Sequence, residues 1–189
     1  MEILPRSFYA RPTVEVAHDL LGKLLVRTYE NQKLIGRIIE TEAYQYDDPA
    51  CHAYRGKTSR NASLFGMVGH VYVYFIYGNH YCLNAVARCP QSPAGGVLIR
   101  AIEPLEGRES MARLRGIPSE RKSIADGPGK LTQALRVTKE LDGSDLTHAG
   151  SLFIADDDWR PPASSIITTP RIGIKKNRDI HWRFLLKEG

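Results

Sequence analysis

The chain has 189 residues, of which 42% are hydrophobic and 25% charged, a composition typical of a globular protein that forms one domain, here expected over residues 1–189. No apolar run approaches the roughly 20 residues that a membrane span needs, and Met1 to Pro5 lack the basic and apolar regions of a signal peptide, so we expect a cytoplasmic protein without a membrane partner. Three cysteines without a C-x-x-C pair argue against a disulfide framework and a zinc site, whereas the formal charge of +5 favours a polyanionic partner.

The first part of the chain predicts one helix and two strands. Pro12 suits the first turn of a helix over residues 12–21, with Val14, Ala17 and Leu21 on one face and Gly22 at its end. Strands are predicted over residues 24–28 and 34–44, with a turn at 30–33 between them. Because side chains alternate along a strand, the second strand places four residues on one face: Ile38, Glu40, Glu42 and Tyr44.

A long loop and a β-hairpin are predicted next. Residues 45–70 are rich in Asp, Pro and Gly, and a loop of that length in a compact domain is usually functional. Residues 71–77 and 81–88 predict a hairpin around a two-residue turn, Gly78-Asn79. On its first strand Tyr72, Tyr74 and Ile76 share one face, whereas Val73 and Phe75 on the other face look like core.

The remaining segments complete an α+β pattern. We predict a strand over residues 97–102, helices over 105–115 and 128–137, and short strands over 152–154, 166–169 and 172–174. Strands and helices do not alternate regularly. A single mixed domain with a curved, mainly antiparallel sheet, surrounding helices and a projecting hairpin therefore fits best.

The distribution of tyrosine is the most informative feature of the sequence. Seven of the nine tyrosines fall between positions 44 and 81. A buried tyrosine needs a partner for its hydroxyl, so a strand meant only for the core would use Val, Leu or Phe instead. Flat rings with a polar edge suit a surface that grips a planar group, and Glu40 and Glu42 lie beside them. This combination favours hydrolysis at a nucleobase or another aromatic ligand.

The acidic residues allow several chemistries. Glu42 could be a general base, or only a solvent-facing carboxylate at a strand end. Asp47, Asp48 and His52 could join the two glutamates in a metal site, which would indicate a metal-dependent phosphodiesterase. His52 could equally be satisfied by the backbone or donate to a ligand. Basic charge beside stacking rings also suits a non-catalytic module that binds single-stranded nucleic acid.

Tyr77 and the basic residues suggest contacts with nucleic acid. Tyr77 at the hairpin turn could lie flat on its own sheet or act as a wedge between stacked bases. Lys130, in Gly127-Pro128-Gly129-Lys130, could contact a single phosphate, or the segment could be an ordinary helix start. Two basic groups would form a phosphate-binding rim if folding joined them: Arg55, Lys57 and Arg60 in the first, and Arg171, Lys175, Lys176 and Arg178 in the second.

Ordered blocks spread over nearly the whole chain carry a specific resemblance. They are ETEAY (40–44), DPACH (48–52), RN (60–61), YVYFIYG (72–78), CLN (82–84), VLIRAIEPL (97–105), GPGKL (127–131) and RIGI (171–174). Together they resemble the alkyladenine (3-methyladenine) DNA glycosylase family. The resemblance implies a monofunctional, metal-free and cofactor-free base-excision enzyme that acts as a monomer on double-stranded DNA containing damaged purines, at the nucleoid if the organism is bacterial.

The resemblance also implies roles for individual residues. Glu42 would activate water, which Arg100 and the backbone of Ile172 would help to hold. Tyr44 and Tyr74 would stack on the flipped base, with His52 at its edge. Asn84 would line the pocket where a normal guanine would present its 2-amino group, and Tyr77 would fill the gap left in the duplex. Leu64 stands where the family more often has methionine, a conservative change that concerns DNA contact more than chemistry.

Overall fold

Nine strands pair into one antiparallel sheet in the computed structural model of the protein, which describes residues 1–187. The strands are β1 (Glu2–Ile3), β2 (Leu24–Tyr29), β3 (Gln32–Gln45), β4 (Val71–Ile76), β5 (His80–Val86), β6 (Gly95–Glu106), β7 (Leu152–Asp156), β8 (Ile166–Thr169) and β9 (Arg183–Leu186). Their order is β1-β7-β2-β3-β6-β5-β4, with β9 paired to β3 and β8 paired to β9. Every pairing is antiparallel. The predicted α+β class is therefore confirmed.

Short helices accompany the sheet. They are α1 (Arg6–Tyr9), α2 (Thr13–Asp19), α3 (Arg108–Arg115) and α4 (Pro128–Ala134), with 3-10 turns at Ala62–Phe65, Lys139–Leu141 and Ala163–Ser165. None of the helices within residues 1–187 is long and apolar enough to cross a membrane.

Strand β3 is the central element that positions the site. One of its edges pairs with β6, and its other edge pairs first with β2 and then with β9. The side chain of Thr41 donates to the carbonyl of Ala17 in α2 at 2.7 Å, which fixes the helix against this strand. Val16 and Ala17 are fully buried in the main core, together with Val71 and Val73 of the hairpin.

A second, smaller cluster lies under the aromatic residues. Its buried members are Cys51, Ala53, Leu64, Tyr72, Val86 and Ala94, and the partly buried rings of Tyr44, Tyr46, Phe65 and Tyr74 pack against them. Burying a ring of this size removes a large apolar area from water, so the cluster holds the rings in place.

Several predicted details of the strands are wrong. Ile38 lies fully buried in the main core and not beside Glu42, because register shifts on either side of Glu40 interrupt the alternation of β3. Residues 172–174 do not form a strand. Strand β6 continues to Glu106, so α3 begins at Arg108 and not at Leu105. Phe75 is 46% exposed and is not core, and its ring packs against Tyr81 with centroids 5.0 Å apart.

The hairpin turn also differs from the prediction. Ile76 pairs with His80, so the turn has three residues, Tyr77 to Asn79. Positive φ angles occur at Tyr77 (55°) and Gly78 (73°), and not at Asn79. A left-handed backbone is uncommon for a residue with a large side chain, which makes Tyr77 a distinctive position.

Candidate active site

The sheet carries a cavity of about 660 Å³ on the face opposite the main core. Side chains from β3, β4, β5 and β6 form its floor, and residues from the 49–52, 127–130 and 172–176 segments complete its walls. Nine of the predicted site residues line it: Glu42, Tyr44, His52, Tyr74, Tyr77, Asn84, Arg100, Lys130 and Ile172. The fold therefore brings together residues that are up to 130 positions apart in the sequence.

The carboxylate of Glu42 is the centre of the cavity floor. Its side chain has no exposed surface, and three donors surround it. The backbone N–H of Ile172 donates to Oε1 at 2.7 Å, the hydroxyl of Tyr44 donates to Oε2 at 2.7 Å, and Nη1 of Arg100 lies 3.4 Å from Oε2. These donors fix the orientation of the carboxylate at the cavity floor, so the arrangement is suited to a buried base.

Arg100 joins the two glutamates of β3. Its Nε donates to Oε1 of Glu40 at 2.7 Å, and Nε of Arg183 donates to the same oxygen at 2.5 Å. Burial alone would lower the pKa of the Arg100 guanidinium, but the charges of Glu42 and Glu40 outweigh burial and raise it. Arg100 is thus a permanent cation beside Glu42, with its orientation fixed by Glu40.

The aromatic rings form one wall of the cavity. The rings of Tyr72 and Tyr74 lie 5.3 Å apart with a 30° tilt, and the His52 ring meets Tyr74 edge-on at 4.6 Å. Burial, and for Tyr44 the neighbouring charge of Glu42, raises the pKa of both Tyr44 and Tyr74. Both phenols therefore keep their protons, and the Tyr44 hydroxyl can only donate to Glu42.

His52 is held by its neighbours through both its ring and its backbone. Nδ1 lies 3.0 Å from the hydroxyl of Tyr72, and the carbonyl accepts from Nδ2 of Asn61 at 2.8 Å. Desolvation against the rings, followed by the charge of Arg60, lowers the pKa of His52, so the imidazole is neutral at pH 7.

Asn84 and Leu64 shape the floor beside the rings. The side chain of Asn84 is buried and donates to the carbonyl of Tyr72 at 3.1 Å, which orients the amide towards the cavity. Leu64, which we expected to concern DNA contact, is 3% exposed and lines the same cavity.

Tyr77 lies at the rim and is the most exposed large apolar residue of the described part of the chain, at 78%. Its left-handed backbone turns the ring towards the cavity side, where its hydroxyl lies near Gly173. Of the two alternatives for Tyr77, this exposure favours a ring that projects from the hairpin tip over one that lies flat on its own sheet.

The basic residues divide into three groups. Lys130, Lys175 and Lys176 line the cavity, and Nζ of Lys130 also lies 2.9 Å from Asp126. Lys57 and Arg60 are exposed but lie outside the cavity lining. Arg171 cannot belong to a phosphate-binding rim, because its side chain has no exposed surface and pairs with buried Asp48.

The predicted metal ligands do not converge. Glu40 is held by two arginines, Asp48 is paired with Arg171, and His52 faces Tyr72. Across residues 1–187, no three His, Cys, Asp or Glu side chains are arranged to hold a metal ion. The geometry therefore gives no support to a phosphodiesterase that uses these residues as metal ligands.

Comparison with known proteins decides the family. The model of a family described as methylpurine-DNA glycosylase (MPG) matches residues 7–189. The chain belongs to this family. It is a DNA N-glycosylase, a hydrolase of base-excision DNA repair.

Similar proteins provisionally named 3-methyladenine DNA glycosylase occur in several organisms. The relative from Carboxydothermus hydrogenoformans is 51% identical over 186 residues, which cover 98% of this chain and 95% of the relative. The relative from Methanocella arvoryzae is 49% identical and covers 92% of this chain and 86% of its own length. The relative from Koribacter versatilis is also 49% identical, with 97% and 89% covered.

Sequence reasoning missed the contributions of four residues to the site of this glycosylase. Tyr72 contacts the His52 ring, Glu40 binds both Arg100 and Arg183, and Asp48 pairs with Arg171, the residue before Ile172. Tyr72 could have been found because it alternates with Tyr74 on the same face. The other pairings join distant parts of the chain and leave no local signal.

Proposed function

We propose that this glycosylase hydrolyses the N-glycosidic bond of damaged purines of the 3-methyladenine class in double-stranded DNA and leaves an abasic site. The observation that supports this best is the buried Glu42 carboxylate, which accepts from Ile172 and Tyr44 at the floor of an aromatic cavity. A carboxylate so placed can activate one water beside a planar base.

Tyr77 supports extrusion of the damaged nucleotide. A base inside a duplex must be rotated out of the stack before its glycosidic bond is accessible, at a cost of a few kcal/mol. Tyr77, exposed at the tip of the hairpin beside the cavity, fills the vacancy in the duplex. Its ring then offsets part of the unstacking cost.

The rings recognise the extruded base. Tyr44 and Tyr74 stack on it and His52 contacts its edge, while Asn84 lies where a normal guanine would present its 2-amino group. Alkylation at purine N3 or N7 makes the base a cation, which a tyrosine face attracts by about 0.5–2 kcal/mol more than a neutral base. The neutral form of His52 adds no repulsion to this cation.

Glu42 activates the water that attacks the sugar. Each of its oxygens accepts from one donor and keeps a lone pair for a water proton. Arg100 and the backbone of Ile172, which both lie beside this carboxylate, hold the water. An alkylated base is a good leaving group, so general-base assistance of about 10²–10⁴-fold is the main chemical requirement.

Basic residues hold the DNA backbone. Lys130, which lines the cavity, and the exposed Lys57 and Arg60 contact phosphates. Such contacts release counterions and position the duplex without reading its sequence. The enzyme acts as a monomer in the cytoplasm.

Excision assays test the proposal. The protein is incubated with a duplex that carries one hypoxanthine or one 3-methyladenine analogue, and the product is treated with alkali. We expect strand cleavage at the lesion only after alkali, with full activity in EDTA. Cleavage without alkali, loss of activity in EDTA, or equal binding to undamaged single strands without excision would contradict the proposal.

A further inference from the structure

A buried ion pair lies directly behind the site. Arg171 donates through Nη1 to Oδ2 of Asp48 and, at 2.9 Å, to the carbonyl of Ala43. Neither Asp48 nor Arg171 has any exposed side-chain surface. The pair joins two segments that are 123 positions apart in the sequence and that both contribute residues to the cavity lining.

Aromatic rings enclose the guanidinium. Its central carbon lies 4.7 Å from the ring centroid of Tyr44 and 5.1 Å from that of Trp182. Nε and Nη2 have no hydrogen-bond partner within the described residues, so the two π faces take the place of acceptors. Arg171 therefore also supports the ring of Tyr44 from behind.

Besides Arg171, Asp48 also binds Asn177 and the backbone of Ala50. Its Oδ1 accepts from Nδ2 of Asn177 at 2.9 Å and from the N–H of Ala50 at 3.0 Å. The segment from Arg171 to Asn177 is thus attached to Asp48 at both ends. The residue after Arg171 is Ile172, whose N–H donates to Glu42.

We propose that Asp48, Arg171 and Asn177 form a positioning group that holds the N–H of Ile172 on the Glu42 carboxylate. This inference rests on the proposed role of Glu42 as the base. Asp48 and Arg171 are buried and none of the three residues lines the cavity, so they act through Ile172 and Tyr44.

A purely structural role explains the pair less well. Apolar side chains of similar volume are often at least as stable as a buried ion pair. Arg171 directly precedes Ile172, whose backbone N–H donates to Glu42. The Arg171 guanidinium also lies against the ring of Tyr44, whose hydroxyl donates to the same carboxylate. Fixed geometry at Glu42 is what this arrangement provides.

Variants of Asn177 and Asp48 test the inference. Asn177 has a φ of 50°, so Asn177→Gly keeps the backbone conformation while it removes the amide donor to Asp48. Asn31→Gly, at a φ of 61° in the exposed β2–β3 turn, is the matched control. Asp48→Asn removes the charge of the pair, and if it does not fold, Asn177→Gly carries the test.

Two measurements are made on the full chain. Hydrogen exchange of the Ile172 amide by NMR should be at least about tenfold faster in Asn177→Gly and Asp48→Asn than in the parent, while the amides of β5 are unchanged. The single-turnover excision rate at saturating enzyme should fall, by up to about 10²-fold, while the affinity for lesion DNA is unchanged, because the N–H of Ile172 no longer fixes the orientation of Glu42. The groups that surround Glu42 and stay in place in these variants are Arg100 on β6, Tyr44 on β3, Cys82 on β5 and, through Arg100, Glu40.

The outcomes separate this inference from the proposed function. Unchanged exchange at Ile172 in Asn177→Gly, or the same change in Asn31→Gly, would overturn the positioning role whether or not the enzyme excises a base. An active parent whose single-turnover rate is the same in both variants would also overturn it. A parent that excises no damaged base contradicts the proposed function, and the exchange of Ile172 still decides the positioning role.

Discussion

Replacing Glu42 by glutamine removes the proposed base with the smallest change of shape. The glutamine carbonyl can accept from the N–H of Ile172, and its amide can donate to the Tyr44 hydroxyl, which rotates to accept. Arg100 loses one carboxylate at 3.4 Å but keeps Glu40 at 2.7 Å. The variant should therefore fold with the same cavity.

The magnitudes for rate and stability can be estimated separately. Loss of general-base catalysis should reduce the single-turnover rate by at least about 10²-fold, equivalent to about 2.7 kcal/mol in the barrier. Exchange of the charge-assisted hydrogen bonds at Glu42 for neutral ones should cost about 1–3 kcal/mol of unfolding free energy. For a chain of this size, each kcal/mol of lost unfolding free energy lowers Tm by about 2–4 °C.

Glu40→Gln is the matched control, because it makes the same change two residues away on the same strand. Glu40 orients Arg100 but does not contact the Ile172 amide, so its loss should slow excision much less. The assay is single-turnover excision of one lesion in a duplex, together with lesion-DNA affinity, which Glu42→Gln should retain. Equal loss of activity in both variants, with neither restored by added metal, would refute the assignment of Glu42 as the base.

Three further predictions concern the wedge, the phosphate contacts and the imidazole. Tyr77→Ala should weaken excision from duplex DNA by a few kcal/mol but change excision from a single strand little, because only the duplex must be unstacked; equal losses in single-turnover assays of both substrates would mean that Tyr77 is a pocket or folding residue. Affinity for undamaged duplex should fall steeply with salt, with about 0.9 in the log–log slope per phosphate contact, and Lys57→Ala or Lys176→Ala should flatten the slope without changing lesion preference; a slope near zero for the parent would argue against a DNA partner. NMR titration of His52 should give a pKa below 6.5, because desolvation and the charge of Arg60 lower it. The unfolded chain then binds the proton more readily, so the free energy of unfolding decreases as the pH falls through 6.5. A measured pKa at or above 6.5 would contradict a neutral imidazole at the site.

Local patterns in the sequence account for much of the fold. The tyrosine-rich hairpin, the long strand that carries Glu42 and Tyr44 on one face, and the α+β class follow from alternation and turn residues, which act over a few positions. The ordered motif blocks also pointed to the family that the comparisons confirm. These features depend on neighbours along the chain, so one sequence is enough to predict them.

Only the tertiary structure decided which charges meet. Arg171 belongs to a basic run that, from the sequence, is expected to be exposed. It is instead buried against Tyr44 and against Asp48, which is 123 positions away in the sequence. Register shifts in β3 moved Ile38 to the core and left Glu40 to hold Arg100. A charge can be buried only where partners from distant segments satisfy it, and those partners are chosen by the packing of the sheet, which no local pattern records.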